Sequence, residues 1–119
     1  MRLMSLTESR AEQIHQLARL SMVSEPNGEV HTLSLDGEFD LVNAPRVERE
    51  LRSIEATDAG VILVDLAGVT FIDSTGIRVL IIAAARSRRD NRLVLAGASP
   101  GVLRVLRMAG VAQLLPLSA

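Results

Sequence analysis

Residues 61–77 are VILVDLAGVTFIDSTGI, the stretch from which the rest of the fold is predicted. The first four residues form an unbroken β-branched and aliphatic run, which is typical of a central strand covered on both faces. From Ile77 to about Arg89, apolar residues recur at three- and four-residue spacing and predict a helix with one apolar face. The polar residues 73–76 therefore lie where a buried strand is followed by a helix.

The residues before this stretch predict a hairpin and a further helix. Apolar and polar residues alternate from about residue 18 to residue 35, which indicates two half-buried strands. The Pro-Asn-Gly sequence at residues 26–28 lies between them and has strong turn chemistry. Residues 44–57 then carry an apolar face at helical spacing, with Asn43 as the expected N-cap.

The residues after the stretch continue the alternation of strands and helices. Residues 93–95 predict a strand, and a third helix follows, capped by Ser99, begun by Pro100 and ended at Gly110. A short last strand is expected near residues 113–115. Because strands that alternate with helices pair in parallel, the predicted fold class is α/β. We expect an open mixed sheet with an N-terminal antiparallel hairpin, followed by βα units with helices packed on the sheet.

The composition excludes several classes of protein. The chain of 119 residues is 48% hydrophobic and has a net charge of −1, which suits one domain with no general attraction to nucleic acid. It has no Cys, two His and no Lys, so disulfides, thiolate or Schiff-base chemistry and a convincing metal site are not expected. The longest uncharged apolar run, Val79–Ala85, is far shorter than the ~18 residues of a membrane helix, and no secretion signal is recognised. We expect a cytoplasmic protein that is not an enzyme and has no cofactor, direct nucleic-acid contact or membrane contact.

Residues 1–17 are treated separately from the domain predicted at residues 18–119. Ser5 and Glu8 have the spacing of a capping box, and Leu6, Ile14 and Leu17 would line one face of a short helix. A disordered N-terminal extension is the alternative, because chain termini are often unstructured. The sequence leaves both open.

Residues 73–76, Asp-Ser-Thr-Gly, are the strongest candidate for a functional site. Binding sites of open α/β sheets lie beyond the carboxyl ends of strands, and the N–H groups at a helix start favour an added anion. A phosphate on Ser74 would add about −1.5 to −2 charge at this point. The alternative is that the segment only caps the helix, since Asp, Ser and Thr are preferred N-cap residues in any protein.

Several segments match a known family in order and spacing. Gly-Glu-Phe-Asp at residues 37–40 is followed by Asn-Ala-Pro at residues 43–45, and residues 63–66 are followed by Phe-Ile-Asp-Ser-Thr-Gly at residues 71–76. Residues 98–111 supply the matching start and end of the third helix. Together these segments resemble the STAS domain family, and its anti-sigma factor antagonists in particular. Phe39 stands where that family usually has Leu.

The resemblance implies a bacterial phosphoprotein that regulates transcription, typically in a stress response, by switching partners. In this family the Ser that follows the Asp is phosphorylated, and the matching residue is Ser74. The resemblance places Asp40, Asp73, Thr75 and Gly76 at the partner-binding surface. The unphosphorylated protein would bind an anti-sigma factor that is also a serine kinase, and so free a sigma factor. Phosphorylation at Ser74 would weaken that complex, and a PP2C-type phosphatase would restore it.

Other interpretations remain open. A non-switching STAS interaction module of a stressosome-like or lipid-transport complex would have the same fold. Residues 97–101 match the G-x-S-x-G nucleophile motif at Ser99, but no His follows residue 31, so helix capping is the simpler explanation. Four Arg residues at positions 86, 88, 89 and 92 are interpreted as a solvated helix end rather than a patch for an acidic partner. An exposed first strand would allow pairing between two chains in a homodimer.

Overall fold

The computed structural model describes residues 19–118, in which four strands form one sheet flanked by three α-helices. The elements are β1 (Leu20–Asn27), β2 (Val30–Phe39), α1 (Ala44–Glu55), β3 (Val61–Ile72), α2 (Ser74–Arg86), β4 (Leu93–Ala96) and α3 (Pro100–Met108). The sheet order is β1-β2-β3-β4, with β1 and β2 antiparallel and the other neighbours parallel. This topology confirms the predicted α/β class, the N-terminal hairpin and the parallel second half. The predicted extension at residues 1–17 lies outside the described residues.

The hairpin turn lies slightly later than predicted. Asn27 pairs with Val30, so the turn is formed by Gly28 and Glu29, and Gly28 has the positive φ of 61° that glycine adopts readily. Pro26 belongs to β1 rather than to the turn. Its missing N–H is tolerated because β1 is the edge strand of the sheet.

β3 lies between β2 and β4, as expected of a central strand, but the prediction that both its faces are covered is wrong. Ile62 and Val64 are buried in the core, whereas Val61 and Leu63 are only half-buried. The chain steps in one direction from β2 to β3 to β4, and right-handed crossovers therefore place α1 and α2 on the same face of the sheet. The unbroken aliphatic run thus reflects strand propensity more than burial on two sides.

The end of the domain also differs from the prediction. Residues 112–114 form a 3₁₀ helix instead of a strand, and a single parallel bridge forms later, between Leu95 and Leu117. The N–H of Leu95 donates to the carbonyl of Pro116 at 2.9 Å, and the N–H of Ser118 donates to the carbonyl of Leu95 at 2.7 Å. Pro116 has no N–H to donate. Only its carbonyl and the residues that follow it can therefore pair with β4.

The prediction that the four clustered Arg residues are solvated at a helix end is wrong for two of them, Arg86 and Arg92. The Arg86 guanidinium donates to both carboxylate oxygens of Glu55 and to Glu48, each at 2.7 Å, and so ties α2 to α1. The hydrogen bonds to Glu55 raise the pKa of Arg86 above its usual range. Arg92 donates to three main-chain carbonyls in the segment that ends α1. Only the Arg residues at positions 88 and 89 are exposed as expected.

Replacing Leu35 with alanine should destabilise the protein strongly, because its side chain in β2 is 1% exposed and its removal leaves a cavity in the core. We expect the free energy of unfolding to fall by about 2–5 kcal/mol. Urea denaturation followed by circular dichroism measures the change. Met108→Ala is the control, because Met108 is 77% exposed, and should shift the value by less than about 0.5 kcal/mol. Equal stability of the two variants would place Leu35 outside the core.

Candidate functional site

The polar residues 73–76 meet a second loop at the carboxyl edge of the sheet. That loop is the β2–α1 turn, residues 40–43, which follows the neighbouring parallel strand. The N–H of Asp73 donates to the carbonyl of Phe39 at 3.2 Å, so the two main chains are joined where their strands end. This edge is where an open α/β sheet ordinarily binds its ligand or partner.

Asp73 is the N-cap of α2 and also holds the β2–α1 turn. Its Oδ1 accepts hydrogen bonds from the N–H groups of Thr75 at 2.9 Å and Gly76 at 3.0 Å. Its Oδ2 accepts the N–H of Leu41 at 3.0 Å. The half-buried carboxylate thus satisfies two N–H groups of its own helix and one from a different loop.

Ser74 is the first residue of α2, and its side chain is exposed. Within residues 19–118 the hydroxyl makes no hydrogen bond, because the capping role is filled by Asp73. The positive end of the helix dipole lies at this residue and would stabilise an added negative charge. The structure therefore places the predicted phosphate acceptor on the surface, with its hydroxyl accessible to another protein.

Asp40 shapes the β2–α1 turn from within. Its Oδ1 accepts the N–H of Val42 at 3.0 Å, and its own N–H donates to Asn43 Oδ1 at 3.0 Å. Asn43 is the N-cap residue of α1, as predicted, but its side chain makes no capping hydrogen bond. The Asn43 backbone is already helical, at φ −104° and ψ −6°, and its Nδ2 donates to the carbonyl of Glu38 at 2.6 Å instead.

Gly76 allows the two loops to approach each other. A Cβ at this buried position would lie 2.7 Å from the carbonyl oxygen of Phe39 and 3.0 Å from Cγ1 of Ile72. The first of these distances is shorter than real side-chain carbons permit. The structure thus brings all five predicted residues together, with Gly76 inside, Asp40, Asp73 and Thr75 half-buried, and Ser74 exposed.

A groove of 420 Å³ lies beside these residues, between α1 and α2. Its aliphatic lining comes from Leu41, Ala44 and Pro45 on one side and from Val79 and Ile82 of α2 on the other. Thr75 also lines it, together with the charged side chains of Glu48, Arg52 and Arg78. The groove is therefore an apolar surface with charged margins, continuous with the loop that carries Ser74.

Leu41 and Val42 were not singled out from the sequence. Both are exposed, at 67% and 54%, although their side chains are aliphatic. The sequence did contain a signal that could have identified them, namely two consecutive apolar residues in an otherwise polar turn between a predicted strand and a predicted helix. Exposed aliphatic side chains at the tip of a rigid turn are well placed for contact with another protein.

The other candidate chemistry in the sequence has simpler explanations. Ser99 Oγ accepts the N–H of Val102 at 3.2 Å and Pro100 begins α3, which confirms the capping explanation. His31 is half-buried, with Nε2 2.7 Å from Ser24 Oγ. In the part of the chain that the structure describes, no three acidic or His side chains are grouped as metal ligands would be. No helix there has both the length and the apolar character needed to cross a membrane.

Comparison with known proteins identifies the family of the chain. Residues 21–119 match the model of the STAS domain. The chain belongs to the STAS domain family. The anti-sigma-B factor antagonist of Listeria monocytogenes is 32% identical over 82 residues, which cover 68% of this chain and 72% of that protein. The anti-sigma-F factor antagonist RsfB of Mycobacterium tuberculosis is 34% identical over 58 residues, 49% of this chain and 47% of that protein.

Solved structures confirm the STAS fold. The crystal structure of an anti-sigma factor antagonist from Mycobacterium paratuberculosis superposes with a TM-score of 0.74 at 23% sequence identity, covering 82% of this chain and 84% of that one. The match to the STAS domain over residues 21–119 confirms the family resemblance inferred from the motifs.

Adding a methyl group at Gly76 should destabilise this STAS domain, because the new carbon would collide with the Phe39 carbonyl. We expect Gly76→Ala to lower the free energy of unfolding by about 1–3 kcal/mol, as overpacking usually does. Gly101→Ala is a matched control in the first turn of α3, where a Cβ would meet only Ser99 Oγ, at 3.9 Å. That variant should be neutral or more stable by up to about 1 kcal/mol. Thermal denaturation that ranks Gly76→Ala as the more stable variant would contradict this packing.

Proposed function

We propose that this STAS protein is an anti-sigma factor antagonist controlled by phosphorylation of Ser74. The observation that carries the proposal is an exposed hydroxyl at the start of α2, beside an apolar groove and after an Asp that already caps the helix. The names of the Listeria and Mycobacterium relatives support the antagonist role. The unphosphorylated protein binds an anti-sigma factor that is also an ATP-dependent serine kinase, and a sigma factor is released.

The contact surface of the unphosphorylated protein comprises the groove and the β2–α1 turn. Leu41, Val42 and Ile82 expose aliphatic area that a partner would remove from water, at about 25 cal/mol for each Å² buried. Asp40 and Asp73 act mainly by holding the main chain beneath these side chains. Ser74 lies at the edge of the same surface, so a protein that covers the groove also covers its hydroxyl.

Phosphorylation opposes this contact by adding charge where the partner must exclude water. A phosphate carries about −1.5 to −2 charge near neutral pH, and here it would stand next to the Asp73 carboxylate. Burying such an uncompensated anion in an interface is costly. A loss of only ~3 kcal/mol would weaken binding more than a hundredfold.

The same position explains how the fold tolerates the modification. The phosphate would lie at the positive end of the α2 dipole, on a side chain that is already exposed. Phosphorylation would therefore change binding without unfolding the helix. Removal of the phosphate by a PP2C-type phosphatase requires the same exposure and returns the protein to its binding-competent state.

Substitution of Ser74 tests the switch directly. Ser74→Ala should keep its affinity for the anti-sigma factor kinase of the same genome but take up no phosphate from ATP, because the acceptor hydroxyl is absent. Ser74→Asp should bind at least about tenfold more weakly, since it places a charge in the contact surface. Isothermal titration calorimetry measures the affinities, and mass spectrometry locates the phosphate.

Ser53→Asp supplies the control, because Ser53 is exposed near the opposite end of α1 and receives the same change of charge. Its affinity should match that of the parent protein. Phosphate on another residue, or equal weakening by the Ser53 and Ser74 substitutions, would refute the switch.

The groove can be tested without touching Ser74. Ile82→Arg places a charge in the aliphatic lining and should weaken binding of the anti-sigma factor about tenfold or more. Met108→Arg makes a similar change on α3, outside the groove, and should alter the affinity by less than about twofold. Circular dichroism verifies that both variants are folded. Equal affinities of the two variants would exclude the groove from the interface.

A further inference from the structure

The Asp73 carboxylate joins two segments that carry different parts of the contact surface. Oδ1 is bonded inside α2, to the N–H groups of Thr75 and Gly76. Oδ2 holds the N–H of Leu41, which lies 32 residues earlier in the chain. One oxygen therefore belongs to the segment that carries Ser74, and the other to the turn with two exposed aliphatic side chains.

The β2–α1 turn is held by hydrogen bonds of its own residues as well as by the bond from Leu41 to Asp73. Asp40 accepts the N–H groups of Val42 and Asn43, and Asn43 bonds back to the main chain at Asp40 and Glu38. The N–H of Leu41 is directed out of the turn to Asp73, while its side chain lines the groove. The placement of Leu41 in the groove therefore depends on where Oδ2 of Asp73 lies.

We infer that Asp73 is a positioning residue that transmits the charge state of Ser74 to Leu41. The inference rests on the proposed function, because it concerns how phosphorylation of that serine alters the contact surface. A phosphate on Ser74 would compete with the neighbouring carboxylate for the N–H groups of Thr75 and Gly76, which are the anion-binding donors of the helix start. Repulsion between the two anions turns the carboxylate away, and the Leu41 N–H loses its acceptor.

Phosphorylation then acts in two places. It adds charge at Ser74, and it releases an apolar turn that forms one side of the groove. A carboxylate that only capped α2 would leave Leu41 unaffected. The two roles of Asp73 can therefore be separated by following the Leu41 amide.

Asp73→Asn tests the hydrogen bond to Leu41 with almost no change in shape. The amide keeps one oxygen for the N–H groups of α2 and replaces Oδ2 with an NH₂ group, which cannot accept a hydrogen bond. NMR on the isolated protein measures exchange of the Leu41 amide proton with water, and the rate should rise about tenfold or more. Asp90→Asn makes the same substitution in an exposed loop at the other end of the sheet and should leave that rate unchanged. An unchanged Leu41 rate in Asp73→Asn overturns the inference.

Ser74→Asp and Ser74→Asn form a matched pair that leaves Asp73 in place, so they decide the question even if Asp73→Asn fails to fold. The two side chains have the same shape and differ by one negative charge. Exchange of the Leu41 amide should be about threefold or more faster in Ser74→Asp than in Ser74→Asn, because only the former repels Asp73. Equal rates overturn the coupling.

Neither measurement uses a partner, and the coupling is thereby separated from the antagonist role. A protein whose Leu41 amide responds to charge at residue 74, but which binds no anti-sigma factor, supports the coupling and refutes the proposed function. A protein that binds and is phosphorylated at Ser74, but whose Leu41 amide does not respond to charge there, supports the function and refutes the coupling.

Discussion

The approach of α2 to the end of β2 depends on one constraint, the absence of a side chain at residue 76. Any Cβ there would collide with the main chain of Phe39, and the first turn of α2 would have to move outward. Because the helix is held so close, the N–H of Asp73 reaches the Phe39 carbonyl, and its carboxylate reaches the N–H of Leu41. The exposed serine, the rigid turn and the groove between the helices all follow from that approach.

The parts of the site that lie close together in sequence could be predicted from it. The strand, loop and helix around residue 74 follow from an aliphatic run, a capping sequence and helical periodicity, all of which are local signals. The second loop, which is distant in sequence, was assigned to the same surface only through the family resemblance, which places Asp40 there. Ser99 was correctly assigned as a cap because Pro100 follows it and no His is available downstream. The strand–loop–helix prediction and the assignment of Ser99 needed no knowledge of tertiary contacts.

The features that were missed depend on partners far away in the chain. Asn43 has the chemistry of a cap, but its side chain is engaged by the strand end and by Asp40. Arg86 was predicted to be solvent-exposed. Its carboxylate partners lie on α1, more than 30 residues away, and local sequence patterns do not reveal them. Leu41 was not singled out from the sequence, and its N–H is bonded to Asp73, which lies 32 residues later in the chain. Local patterns predict which helix or strand a residue belongs to, but not which distant residue forms hydrogen bonds with its polar groups.

Ser74 and Ser99 show why one residue of offset matters at a helix start. Ser99 is the N-cap of α3, so its hydroxyl accepts a main-chain N–H and is half-buried. Ser74 follows the N-cap of α2, and Asp73 has already taken the N–H groups that a capping hydroxyl would use. Its hydroxyl is therefore not used in capping, is exposed, and lies close to the main-chain N–H groups that stabilise an anion at a helix start. An Asp at the N-cap thus leaves the serine that follows it exposed and outside the capping hydrogen bonds.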